Sequence, residues 1–179
     1  MVRIVLIYGL VSGLVIVGGI LATIVFNGGA PHSNVFLGYL IMLVAMSSIL
    51  VGVKQHRDQA LGGVIRFWPA LGLGLAIAAV ASLAYILVWE IYLAATDYSF
   101  MATYTEQLLE QKRAAGVTGA AYEKLAADMA KMTETYRNPL FRMPMTFVEI
   151  FPVGLLLAVV SAALLRNPRF LPARARTTA

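Results

Sequence analysis

Glu149 stands in TFVEIFPVGLLLAVVSAALL and Glu90 in LVWEIYL, two carboxylates within runs otherwise free of charge. An ionisable side chain near the middle of a bilayer costs at least about 2.5 to 3.5 kcal/mol, so each needs a partner, a proton or a path to water. Two acids at one depth can share a proton, pass one on, or serve as acid and base toward a third group. The surroundings of Glu149 are the richer. Pro152, three residues on, has no backbone N–H to donate and leaves the Val148 carbonyl free; Pro144 does the same for Leu140 if helix already runs there. Thr146 and Arg142 precede Glu149 by three and seven residues and share its helical face, and Arg142 can also extend to the outer surface. Tyr85 and Tyr92 bring hydroxyls near Glu90. A purely structural role competes with each acid. An interhelical hydrogen bond worth about 0.6 to 2 kcal/mol fixes register, and Glu90, flanked by Trp89 and Tyr92 of an aromatic belt, can reach headgroup water.

The elements that must hold these groups follow from composition. Of the 179 residues, 60% are hydrophobic and 13% charged, against about 25% charged in soluble domains. This predicts an all-α integral membrane protein of one domain. The net charge of +5 sits at segment ends without clustered aromatic platforms, which points away from nucleic acid and toward the lipid bilayer. No cysteine is present, so a disulfide framework, a thiolate metal site and a thiol nucleophile are excluded.

A hydrocarbon core about 30 Å thick takes about 20 apolar residues as helix. Four segments qualify: Ile4 to Phe26, Asn34 to Val53, Trp68 to Ala95 and Phe141 to Leu165. The first has 23 residues, longer than the roughly 7 to 15 of a cleaved signal's apolar region. NGGAPHS separates the first two and predicts an antiparallel hairpin. Arg3, Lys54, Arg57, Arg66, Arg166, Arg169, Arg174 and Arg176 face one acid, Asp58, which places both termini and the loop holding Lys54, Arg57 and Asp58 in the cytoplasm. Asp97 to Arg142, with six bases and six acids, then faces outward with NGGAPHS. With the spans ending at Ala95 and Phe141, Glu90 lies about 8 Å and Glu149 about 12 Å below the outer surface.

Residues 97–138 are too long for a plain connection. Tyr122, Leu125, Met129, Met132 and Tyr136 recur on one helical face, as do Met101, Tyr104 and Leu108. Gly116 and Gly119 interrupt the pattern, and Thr118 is placed to cap the second helix by accepting a backbone N–H. This predicts an extracytoplasmic helical hairpin between spans 3 and 4, closed by Asn138-Pro139. Its stripes pack on each other or on headgroups, or else form a partner surface. Span 3 either runs on into the hairpin or stops with Thr96 and Asp97 as caps.

Gly9 and Gly13, Gly72 and Ala76, and Ala78 and Ser82 are small-residue pairs suited to packing within the bundle. His32 and His56 fall on opposite sides of the membrane, so no metal site, cofactor site or catalytic set is expected. The domain spans residues 1–166, and 167–179 form a cytoplasmic tail without expected structure.

Three strings, RIVLIYGLVSGLVI, VGVKQHRDQALGGVIRFWPALGLGL and NPLFRMPMTFVEIFPVGLLLAVVSAALL, together resemble the domain-of-unknown-function 4199 family of bacterial membrane proteins. The likeness rests on Gly52, Lys54, Arg57, Asp58, Gly62, Gly63 and Phe67 in one segment and Glu149, Pro152 and Gly154 in the last span. It implies a bacterial four-span protein with an extracytoplasmic segment and carries no activity with it. The leading expectation is a non-enzymatic accessory or scaffold subunit of the inner membrane, acting as a homo-oligomer or with a membrane-protein partner through the hairpin. A small proton-linked carrier or channel using Glu149 and Glu90 is the alternative; a lipid-acting enzyme ranks third, for want of a nucleophile or metal site beside the two acids.

Overall fold

The computed structural model describes residues 1–26 and 35–173, so the NGGAPHS turn, with His32, and the end of the arginine tail, with Arg174 and Arg176, lie outside the described residues. The described chain forms helices α1 (Val2–Phe26), α2 (Val35–Met46), α3 (Ser48–Ala60), α4 (Phe67–Ala95), α5 (Phe100–Ala114), α6 (Gly119–Tyr136) and α7 (Pro139–Leu165). Four stretches are long and apolar enough to cross a membrane: Val2–Phe26, Phe36–Ala60, Phe67–Ala95 and Pro139–Leu165. Their outer faces stay apolar. Leu83, Leu87 and Ile91 of α4 are 55%, 64% and 67% exposed, the pattern of a helix surrounded by lipid.

Helix α4 is the centre, packed chiefly between α1 and α7. Small residues let the backbones meet. A Cβ on Gly13 would lie 2.7 Å from the Ala81 carbonyl oxygen and 2.7 Å from the Ala84 methyl, and one on Gly154 would lie 2.6 Å from the Ala78 Cβ. Gly9 lies against Ile77 and Val80 while Gly13 lies against Ala81 and Ala84, so α1 runs parallel to α4; Gly154 on Ala78 and Gly74 on Ala158 make α7 antiparallel to it. Gly72, expected at a crossing, has open space beside it, and Gly74 takes that place. Ser12 of α1 bonds to the Ala45 carbonyl at 3.2 Å and to the Ser48 hydroxyl, tying α1 to the second span.

That second span extends beyond its expected end at Val53. It is interrupted only at Ser47, whose hydroxyl bonds to the Val44 carbonyl while the Leu50 N–H donates to the Ser47 carbonyl, a tightened turn. Lys54, Arg57 and Asp58 therefore lie on the last turns of α3 and not in a loop, which begins at Leu61. Span 3 does stop. Asp97 and Tyr98 take left-handed backbone with φ of 49° and 55°, and the Tyr98 N–H closes back on the Leu93 carbonyl at 2.8 Å, a Schellman-type end. Thr96 spends its hydroxyl on the Tyr92 and Leu93 carbonyls and caps no new helix. α5 and α6 pack on each other as the expected helical pair, joined through Gly116 at φ 86°. Thr118 occupies the N-cap position of α6, but its side chain makes no capping bond.

The up-and-down order gathers Arg3, Lys54, Arg57, Arg66, Arg166 and Arg169 at one end of the bundle and α5–α6 at the other. The first residues of the tail are also held. Arg57, fully buried, donates to Asp58 Oδ1 at 2.7 Å, to the Phe170 carbonyl at 2.9 Å and to the Leu171 carbonyl. Arg57, expected from its charge at the cytoplasmic end, thus also straps Phe170 and Leu171 across the end of α3.

Candidate functional site

Asn138 accepts the Leu140 N–H at 3.0 Å, and Pro139 takes the first helical position, where its missing N–H costs nothing. This fixes the start of α7 and places Arg142 one turn inside it. Its guanidinium reaches α4, not the outer surface: Nε donates to Glu90 Oε1 at 2.6 Å, and Nη2 donates to Oε2. The third nitrogen, Nη1, donates to the carbonyls of Tyr136 and Arg137 at 2.9 and 3.3 Å, where α6 ends with unpaired acceptors and the negative end of its dipole. The Tyr98 and Tyr136 rings lie 5.0 and 5.6 Å from the guanidinium carbon, within cation–π range.

Arg142 is 2% exposed and the Glu90 side chain 17%. One side chain therefore ties α4, the α4–α5 turn, α6 and α7 together. The expectation of two carboxylates sharing a proton is not met, because Glu90 is held bidentately by a cation, the planar arrangement that guanidinium and carboxylate favour.

Trp89 builds the adjoining wall. It stacks on Tyr85 and Tyr92 with centroids 5.9 and 5.2 Å away, meets Phe100 edge-on at 4.9 Å, and donates Nε1–H to the Tyr136 hydroxyl at 3.1 Å. Burial pushes the Tyr136 phenol above its ordinary value, and the Glu149 carboxylate pushes the same way, while the Trp89 hydrogen bond and Arg142 act against them. Tyr136 therefore stays a neutral hydroxyl.

Beneath α5–α6 lies a cavity of about 420 Å³. The bundle contributes Ile20, Tyr85, Trp89, Met145, Thr146 and Glu149; α5 and α6 contribute Phe100, Met101, Tyr104, Leu108, Met129, Met132 and Tyr136. The two apolar stripes of the helical pair thus face a shared space over the bundle. Glu149 is exposed toward it and, among the described residues, forms no hydrogen bond or ion pair. Thr146, also in the wall, donates to the Arg142 carbonyl at 2.9 Å. Pro152 lies within α7 one turn beyond Glu149. Of the residues singled out from sequence, the structure joins Arg142 with Glu90, brings Tyr85, Thr146 and Glu149 to the cavity, and leaves Lys54, Arg57 and Asp58 at the opposite end. Sequence reasoning missed Tyr98 and the closing role of Trp89. The neutral balance of acids and bases around Arg142 gave no sign of which pairs form.

Four apolar helices carrying a clamped two-helix cap define an all-α bundle of membrane-spanning type. The chain belongs to the family described as Protein of unknown function (DUF4199), whose family model matches residues 7–167, most of its length. No curated protein and no solved structure matches it.

Proposed function

We propose that the chain is a non-enzymatic multi-pass subunit of the bacterial inner membrane, with both termini cytoplasmic and α5–α6 presented outward as a fixed platform for a membrane-protein partner or a second copy. The observation that carries this reading is the Arg142 clamp, which fastens the cap to α4 and α7 through hydrogen bonds to Glu90, Tyr136 and Arg137. A fastened cap suits a platform better than a gate. The proton-linked carrier loses one of its two acids to that clamp. The gathering of Arg3, Lys54, Arg57, Arg66, Arg166 and Arg169 at the end away from the cap supports the orientation, because positive residues are retained in the cytoplasm. The cap's outer side offers Glu106, Glu110, Glu123, Lys124, Asp128 and Lys131, all exposed, as a mixed-charge contact surface.

An alkaline phosphatase fusion at Gly116 is expected to be active and a fluorescent-protein fusion at Ala179 to glow; the opposite pair of signals overturns the orientation. Purification from native membranes is expected to retain a stoichiometric partner or second copy, lost when Glu110 and Lys131 are reversed in charge. A clean monomer from native membranes contradicts the platform.

A further inference from the structure

The cavity beneath the cap has an unusual charge balance. Among the described residues its wall holds one carboxylate, Glu149, with no counter-ion, and no Lys, Arg or His lines it; the nearby Arg142 is spent on Glu90 and the end of α6. The same wall carries five aromatic rings, those of Tyr85, Trp89, Phe100, Tyr104 and Tyr136. An acid left unpaired at membrane depth is costly, and aromatic rings with a carboxylate are what a desolvated organic cation requires. The remaining wall is largely methionine, whose flexible, polarisable side chains adapt to varied apolar shapes. At about 420 Å³ the space falls within the range of small-molecule sites.

From these observations we infer that the cavity is a binding site for an amphiphilic organic cation, an apolar chain or ring system bearing one ammonium nitrogen, with Glu149 as its counter-ion and the aromatic wall around its charged end. An anionic amphiphile would meet Glu149 with no cation to offset it. A phosphate-bearing zwitterion would bring an anion for which the wall holds no partner. The inference rests on the fixed cap of the proposed function, since α5 and α6 supply the roof.

The chain has two tryptophans, and Trp68 lies at the basic end of α4, 76% exposed. A Trp68→Phe variant therefore makes Trp89 the single reporter inside the wall. In nanodiscs of zwitterionic lipid, (4-bromobenzyl)hexyldimethylammonium, whose bromine is carried at the charged end, is expected to quench Trp89 saturably, whereas 2-bromo-4-hexylbenzenesulfonate quenches only in proportion to its partition into lipid. Glu149→Gln, which removes the charge and keeps the shape, should weaken the cation's apparent affinity about tenfold or more. Equal, unsaturable quenching by both probes, or unchanged affinity in Glu149→Gln, overturns the inference. If the cap proves rigid and the cation does not bind, the ligand assignment falls and the platform stands. If the cap proves mobile, the platform falls, and the effect of Glu149→Gln on quenching still decides the ligand.

Discussion

Arg142→Ala is expected to lower the unfolding free energy by about 3 to 5 kcal/mol, the cost of stripping a buried ion pair of one partner. Glu90 would be left in α4 without its bidentate donor, and the Tyr136 and Arg137 carbonyls would lose the group that closes α6. Glu90→Gln should cost less, because an amide keeps one acceptor for Arg142 and Arg142 keeps its carbonyl bonds. The double variant Arg142→Met/Glu90→Leu should recover much of the loss but not all of it. Apolar replacement of an ion pair is often neutral, yet the end of α6 stays uncapped. Equilibrium unfolding in mild detergent of the unsubstituted protein, Arg142→Met, Glu90→Leu and the double variant closes the cycle and gives the coupling directly; additive single losses would show that the pair does not act as a unit.

Trp89→Ala is expected to cost about 3 kcal/mol, toward the lower end of large-to-small aromatic substitutions, because lipid, unlike water, exacts little for exposed apolar surface. What is lost is packing: two stacked rings, the edge contact to Phe100 and the hydrogen bond to Tyr136. Trp89→Phe should cost about 1 kcal/mol, mainly that hydrogen bond. The substitution acts where α4 meets the cap, so α5 and α6 should also become more open to proteolysis. Hydrogen exchange by mass spectrometry checks this, with faster exchange in α5 and α6 and little change in α1. Uniform acceleration across the chain would mean that Trp89 supports the bundle at large and not the cap.

Much of the architecture was legible because lipid imposes strict rules on a sequence. Apolar runs of membrane length gave four spans, and Gly9 and Gly13 marked a close crossing that the structure finds against α4. Periodicity gave both helices of the cap from Met101, Tyr104 and Leu108 and from Tyr122 to Tyr136. What stayed hidden was choice among partners. A helix face tells that Arg142, Thr146 and Glu149 point one way; it does not tell that Arg142 reaches across to Glu90. Depth alone therefore suggested an acid pair where the fold makes an ion pair. The stop at Asp97 and Tyr98 was hidden for another reason: it depends on left-handed backbone at residues that are not glycine, a cost met by tertiary contacts including the packing of Arg142 on the Tyr98 ring. Arg57 was read as a charge kept out of the bilayer, and only folding reveals the chain that returns across it.

The two acids thus have different work. Glu90 is consumed in holding the cap, and Glu149 lines the cavity beneath it with no hydrogen bond or ion pair among the described residues. The claim that the cap is fixed is tested most directly by a distance. With no native cysteine, spin labels can be carried on Glu123→Cys in α6 and Leu14→Cys in α1, and their separation measured by pulsed electron resonance in bilayers. The account predicts one narrow distance distribution that broadens in Arg142→Ala. A broad or two-peaked distribution with Arg142 in place would contradict it.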